Sequence, residues 1–290
     1  MGKAHAPALI VLALVGCHTN TDGTITSTDD GGPPVSSMGL GGMTSTGSGG
    51  SGTAGTSGGH PDAGFAFNPS DASAAAPPDA GTSAACGMLM ATLRDFKDDH
   101  PDFEKVIMTV RGLVKPDLGA DDKPAYAPGG STPVTAGAAS FDQWYRDVPG
   151  VNEKFMIPLP LVQTRPGNFA YSNNSFFPLD GRGFGNQGRS HNFHFTTEIH
   201  ATFKYRGGER FTFTGDDDVF IFVNKKLALD LGGVHPEQNA TIGFDAQAAA
   251  LGIRVGNSYA FDAFHAERHT TESNFRMETS IECLESTIIK

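Results

Sequence analysis

An all-β fold, an antiparallel β-sandwich or barrel, is what the sequence predicts for residues 86–290. Three observations carry that expectation. From residue 193 onward apolar and polar side chains alternate. Phe193, Phe195, Ile199, Ala201, Phe203 and Tyr205 fall on one side, and His194, Thr196, Glu198, His200, Thr202 and Lys204 on the other. A period of two marks a strand with one buried and one wet face. Val219-Phe220-Ile221-Phe222-Val223 is apolar on both sides, as a central strand is. Short runs of this kind are separated by Gly-, Asn- and Asp-rich connections, and helical periodicity is scarce.

The chain begins with one early charge, Lys3, and an apolar run from Ala8 to Val15. That run is far short of the roughly 20 residues needed to span a bilayer, so it reads as a secretory signal. Leu14-Val15-Gly16-Cys17 resembles the lipobox of bacterial lipoproteins. The resemblance implies removal of residues 1–16 and lipidation of Cys17. His18 follows where an inner-membrane retention signal would have Asp, so the outer membrane or cell surface is the expected location. Residues 17–85 then form a Gly/Ser/Thr/Pro-rich stretch with too little apolar surface to offset the entropy of ordering it. As a coil it would span roughly 45 Å, enough to lift a domain off a membrane.

The remaining residues, 86–290, suffice for one domain with a sizeable core. A net charge of −11 argues against nucleic acid and against anionic lipid heads, and favours cations as partners. Membrane contact is therefore expected through the lipid alone. If Cys17 carries lipid, Cys86 and Cys283 remain as a pair in an exported chain, where a disulfide is the natural state. Two unpaired buried thiols are the alternative.

Along the domain, Met88–Lys97 is the best candidate for a short helix. Residues 112–139 form a long Pro/Gly-rich loop, of the kind that is functional or mobile. Leu227–Leu231 reads as the hairpin partner of Val219–Val223 across an Asn224-Lys225 turn, and Tyr259–Phe264 as another strand. Phe275, Met277, Thr279, Ile281 and Cys283 alternate with polar residues, which puts Cys283 on the apolar face and its disulfide in the interior.

Gly183-Phe184-Gly185-Asn186-Gln187-Gly188 matches GxGxxG but lacks the strand and helix that a dinucleotide site requires. His265-Ala266-Glu267-Arg268-His269 has the wrong order for a zinc-protease helix, yet on a strand it sets His265, Glu267 and His269 on one side, as a transition-metal site or a hydrogen-bonded structural cluster. Gly215-Asp216-Asp217-Asp218-Val219 crowds three carboxylates at the entry of an apolar strand. They repel one another unless a cation or donors sit among them, and Ca²⁺ takes hard oxygen ligands of this kind. A solvated cluster guarding the strand end remains equally open.

Taken in order, Asp95-Phe96, His100-Pro101-Asp102-Phe103, Phe141-Asp142-Gln143-Trp144-Tyr145, Pro178-Leu179-Asp180, Asn192 to Glu198, Phe211 to Phe220, Asp230 to His235 and Phe264 to Phe275 resemble the fibro-slime domain family. That family is related to the anthrax protective-antigen-type β-sandwich of fungal flocculins and some glycosidases. The resemblance implies that fold and, in the wider superfamily, carbohydrate binding, often through Ca²⁺. It also implies that Asp216 and Asp217, joined by a cis peptide, hold the ion. Asp218 is then an alternative ligand, Asn274 or Asp230 the further one, and His235, His265 and Glu267 candidates near the ligand. The chain departs from the family at Phe220, where Trp is usual, and at Asn224-Lys225, where Asn-Gly is usual; Lys is less at ease at φ > 0, so another turn type is expected. The leading expectation is thus a Ca²⁺-dependent adhesive or carbohydrate-binding module acting on extracellular polysaccharide or cell-surface glycans. A polysaccharide-processing enzyme, a His265/Glu267/His269 metal protein and a purely structural matrix protein are its rivals.

Overall fold

The computed structural model describes residues 86–288. The expected signal segment, Cys17 and the spacer lie outside the described residues. In chain order the elements are β1 (Met88–Phe96), β2 (Met108–Thr109), α1 (Ala138–Phe141), β3 (Asn152–Pro160), β4 (Val162–Arg165), β5 (Asn168–Asn173), β6 (Phe195–Lys204) and β7 (Arg210–Gly215). There follow β8 (Asp218–Val223), β9 (Lys226–Leu231), β10 (Gly233–Val234), β11 (Gln238–Gly243), α2 (Phe244–Leu251), β12 (Ser258–Glu267), β13 (Phe275–Thr279) and β14 (Glu285–Ser286).

One sheet runs β3-β1-β6-β12-β8-β9, with β14 also paired to β6; the other runs β11-β7-β13-β5-β4, and β10 pairs with β2 apart from both. Every pairing is antiparallel, as the alternating sequence predicts. The inner faces meet in one core. Leu93, Ile199, Val219, Ile221 and Phe261 of the larger sheet pack with Phe211, Phe213, Phe275 and Met277 of the smaller. The all-β sandwich is therefore the fold.

Four local expectations are corrected. Residues 88–96 are not a helix but strand β1, paired to β3 and β6. Leu89, Ala91 and Leu93 are fully buried at alternate positions, which a strand at the sheet centre requires. The polar face of β6 is not wet: Thr196, Glu198 and His200 are buried there. The cover comes from the long 112–139 loop and its continuation. Leu113, Val114, Tyr126, Val134, Phe141, Trp144 and Tyr145 form a second core on Phe220, Phe222, Phe264 and Ala266, on the outer face of the larger sheet. The β8–β9 turn keeps φ positive at both Asn224 (52°) and Lys225 (63°), so Lys occupies the place that Gly usually takes. Finally, Cys86 and Cys283 are joined, with their Cα atoms 4.9 Å apart. The bridge is not interior, however: Cys86 is exposed and Cys283 half-buried, because β13 ends at Thr279 and the chain leaves the sheet before Cys283.

Candidate functional site

The acidic triplet sits where β7 hands over to β8. Gly215 is obligatory there: a Cβ would come within 2.2 Å of the Asn274 carbonyl oxygen, so only Gly lets the two segments meet. The Asp216-Asp217 peptide is cis. Asp216 accepts two hydrogen bonds from Asn274, from the backbone N–H at 2.8 Å and from Nδ2 at 2.9 Å. Asp217 accepts from the backbone N–H groups of His235 and Arg268, both at 3.0 Å. These donors come from the β10 end and the segment after β12, which clamp the pair from both sides.

Asp216 and Asp217 open onto one cleft of about 270 Å³, which Ile107, Val234, His235, Pro236, His269, Thr271 and Glu272 complete. Asp218 is turned away from it. Its Oδ1 accepts from the Gly233 N–H at 2.6 Å and its Oδ2 from Arg268 Nε at 2.6 Å, both fully inside. The triplet is thus divided: one carboxylate neutralised by a buried guanidinium, two left facing the cleft.

Burial pushes the Asp216 carboxyl above its usual range. Burial pushes Asp217 up to about 8, with Arg268 opposing the rise and the Asp218 charge adding to it. Glu267, the last residue of β12, is raised well above the carboxylate range by burial and by the charges of Asp217 and Asp216. Its Oε2 is buried and has no hydrogen-bond partner among the described residues. Asp216 and Asp217, whose carboxyls burial pushes up and which share one cleft, suit a hard cation with oxygen ligands and would hold it. Glu267 does not line that cleft.

The other expected residues are distributed as follows. Asn274 is on the site, as a donor to Asp216. His235 lines the cleft with its ring nitrogens against the carbonyl oxygens of Pro236 and Leu231. Asp230 is elsewhere: it accepts from the N–H groups of Gly112 and Gly232 and so fastens the long loop to β9. His265 lies beneath the cleft, its Nε2 2.8 Å from the Asp216 carbonyl oxygen and its ring against Phe275. Burial lowers its pKa to about 4. His265, Glu267 and His269 do not converge. Among the described residues, the set of three such side chains with ligand atoms within 4.8 Å of one another is Cys86, Cys283 and Glu285, whose sulfurs are already bonded to each other. Among the described residues the transition-metal set is therefore not assembled: His265 is bonded to the Asp216 carbonyl oxygen, and His269 lines the cleft. Asp216, Asp217 and Glu267 also stand wider apart than that limit.

Three contributors were not read from the sequence. Arg268 is fully buried, stacks over Trp144 at 4.5 Å and donates to the carbonyl oxygens of Asp102 and Val134 as well as to Asp218. Glu272 and Thr271 bring the loop after β12 to the cleft rim. The signal for Arg268 was an Arg immediately after an apolar strand; its partner Asp218 lies 50 residues earlier, beyond any local pattern.

No protein-family model matches the chain. It is similar to curated proteins of Dictyostelium discoideum. It is 41% identical to protein psiD over 212 residues, covering 67% of this chain and 41% of psiD. To psiQ it is 42% identical over 187 residues, covering 59% of this chain and 18% of psiQ. To psiC it is 37% identical over 219 residues, covering 68% and 42%. The chain spans less than half the length of each of these relatives. Among solved structures, the PA14 sugar-binding domain from an RTX adhesin matches with a TM-score of 0.31 at 8% identity, covering 70% of this chain and 96% of that one. The PA14 domain of the MpAFP antifreeze protein matches with a TM-score of 0.32 at 10% identity, covering 74% and 98%.

Proposed function

We propose that this chain is a surface-displayed lipoprotein whose β-sandwich binds carbohydrate with the help of Ca²⁺ and acts as an adhesive module on matrix or cell-surface glycans. The observation that carries the reading is the pair Asp216 and Asp217, both buried and both facing one cleft while Asp218 is taken up by Arg268. Among the described residues, these two carboxylates have no cationic side chain as a hydrogen-bond partner; their partners are the backbone N–H groups of His235, Arg268 and Asn274 and the Asn274 amide. The order of motifs, which resembles that of the fibro-slime family, and the resemblance of Leu14-Val15-Gly16-Cys17 to a lipobox support the rest. When bound, Ca²⁺ would offer its remaining coordination positions to vicinal sugar hydroxyls, which are hard oxygen donors. The chain's own part is to hold the two carboxylates in place from the His235 and Asn274 segments, and to offer Ile107 as an apolar edge to the ligand.

The test is thermal unfolding of the full chain, freed of metal and titrated with Ca²⁺. Selective binding to the native state stabilises it by roughly 2.7 kcal/mol at a hundredfold excess over Kd, so the midpoint should rise and chelation should reverse it. Asp217→Asn should remove most of that rise without altering the β-sheet spectrum. A glycan array run with and without chelator then reads the sugar. A melting curve unmoved by millimolar Ca²⁺ overturns the metal reading. The anchor is tested separately: Cys17→Ser should release the protein from membranes and abolish lipid labelling.

A further inference from the structure

His200 of β6 stands beside Asp262 of β12 on the outer face of the larger sheet, and both of its ring nitrogens meet carboxylate oxygens. Nε2 is 2.5 Å from Glu198 Oε1, and Nδ1 is 2.7 Å from Asp262 Oδ1. All three side chains are buried. An ionised carboxylate only accepts, and a neutral imidazole has a single N–H. Both bonds therefore form together only when the ring carries both protons. The ring packs edge-on against Phe264, which packs in turn against Tyr145 of the loop layer, the neighbour of Trp144.

The charges around this ring converge on Glu198. Arg94 of β1 donates to its Oε2 at 2.6 Å, and Lys123 of the 112–139 loop pairs with its Oε1, the oxygen that His200 also holds. Against the cost of burial, His200, Arg94 and Lys123 hold the Glu198 carboxyl down to about 2. Arg94 is fixed on its other side by Asp147, which also takes Lys154. Among the described residues, His200 is the hydrogen-bond partner of the Asp262 side chain, and the charge of Lys225 on the β8–β9 turn reaches Asp262 as well. Next to β14, the Thr287 N–H donates to the His200 carbonyl and adds no charge. Burial opposes a charge on His200, but the Asp262 and Glu198 bonds outweigh it and raise its pKa. The folded pKa then exceeds the unfolded one. The stability this gives is fully present below the ordinary imidazole value of about 6.5 and is lost as pH rises through the folded value.

Geometry sets where the loss of that proton is felt. The one N–H of the neutral ring stays on Nδ1, because Glu198 keeps two cations and Asp262 has no second donor among the described residues. The Nε2 lone pair then faces Glu198 Oε1, and an attraction in a buried site becomes a repulsion. Arg94 pins the far oxygen of the carboxylate, so the oxygen shared with Lys123 is the one that must give. We propose that His200 is a proton-operated fastener of the loop layer: as the imidazolium it ties Glu198 to Asp262 and keeps Lys123 bound, and on losing its proton it frees Lys123 and loosens residues 121–145 from the sheet.

Trp144 is the one tryptophan of the chain and lies in the loop layer, where its carbonyl accepts from Thr196 Oγ1, two residues before Glu198. Its fluorescence therefore reports on the layer. The full chain, isotope-labelled at the histidine ring nitrogens, is titrated from about pH 5 to 9 by NMR, and acrylamide quenching of Trp144 is measured over the same range. Both ring nitrogens of His200 should show the imidazolium form at the acid end, with a midpoint above the ordinary value of about 6.5. The quenching constant should rise with pH along a curve of the same midpoint. Asp262→Asn should lower both midpoints by the same amount. In His200→Gln, which cannot change its charge, the rise should be lost. The buried rings of His100, His194 and His265 have lowered pKa values, so they stay neutral across this window. Asp217 is the main rival, since it titrates near 8 and touches Arg268, which stacks over Trp144. A rise that persists in His200→Gln places the response there and overturns the inference. Quenching that stays flat while His200 titrates overturns it too, as does a His200 ring already neutral below the ordinary value. Where His200→Gln does not fold, Asp262→Asn decides: a quenching midpoint that stays put while the His200 midpoint moves overturns the fastener, and joint movement upholds it.

Discussion

Asp95 shows how a buried carboxyl can be structural. It is fully buried in β1 and accepts from the Asn192 amide at 2.7 Å and the Phe184 N–H at 2.6 Å. The glycine run around Gly183 exists to make this contact. Gly183 has φ 55°, and a Cβ on it would stand 2.1 Å from Asp95 Oδ2. Burial raises the Asp95 carboxyl to about 6 against the pull of the Asn192 and Phe184 bonds. The folded pKa therefore exceeds the unfolded one, and the native state binds more protons between them. The stability this gives is fully present below about pH 4 and is lost as pH rises through about 6, by up to about 3 kcal/mol. Asp95→Asn should flatten that fall, measured as urea unfolding free energy at a series of pH values against wild type. At pH 4 the variant should be the less stable, since an amide offers one acceptor to two donors. Parallel pH curves for the two proteins would show that Asp95 does not titrate in that window.

At the level of the elements, the β8–β9 hairpin carries an avoidable strain. Lys225 sits at φ 63° in the second position of a two-residue turn, where L side chains are disfavoured by about 1–2 kcal/mol and Gly is not. The exposed ion pair to Asp122 returns little of that. Lys225→Gly should raise stability by about 0.5–1 kcal/mol, read as a higher urea midpoint with an unchanged slope; a lower midpoint would show that the Asp122 pair outweighs the backbone. The hairpin itself was legible, because its strand is apolar on both faces and its turn is short. β1 was not. Met88, Leu89, Met90, Ala91, Leu93 and Arg94 are good helix formers, and only pairing with β3 and β6 overrides them. The buried polar face of β6 was not legible either, since its cover is built from residues 113–145, far away in the chain. The acidic triplet stood out in the sequence, and Asp216 and Asp217 line a cleft; that Asp218 belongs to Arg268 is a nonlocal fact.

Across the whole molecule, three layers depend on one chain closing on itself. The smaller sheet, the larger sheet and the loop layer on its outer face share β6, β8 and β12 as the common wall. The two ends of the domain meet at this wall's edge. The Gly87 N–H donates to the Leu284 carbonyl at 3.1 Å, β14 pairs with β6, and Cys86 is bonded to Cys283 across 197 residues. A crosslink over such a span acts mainly on the unfolded chain, where it removes loop-closure entropy worth about 5 kcal/mol in the chain-entropy model, an upper figure. The native ends are held by backbone bonds as well, so their geometry does not rest on the bridge. Replacing both Cys86 and Cys283 by Ser should therefore leave the β-sheet spectrum intact and lower the urea midpoint. The slope of the transition should increase, because an uncrosslinked chain unfolds to a more expanded state and exposes more surface. Alkylation and mass spectrometry of the wild type without reductant should find Cys86 and Cys283 in one crosslinked peptide. Free thiols at both positions, or equal midpoints and slopes for the two proteins, would show that the bridge does not form or that the unfolded chain is already compact without it.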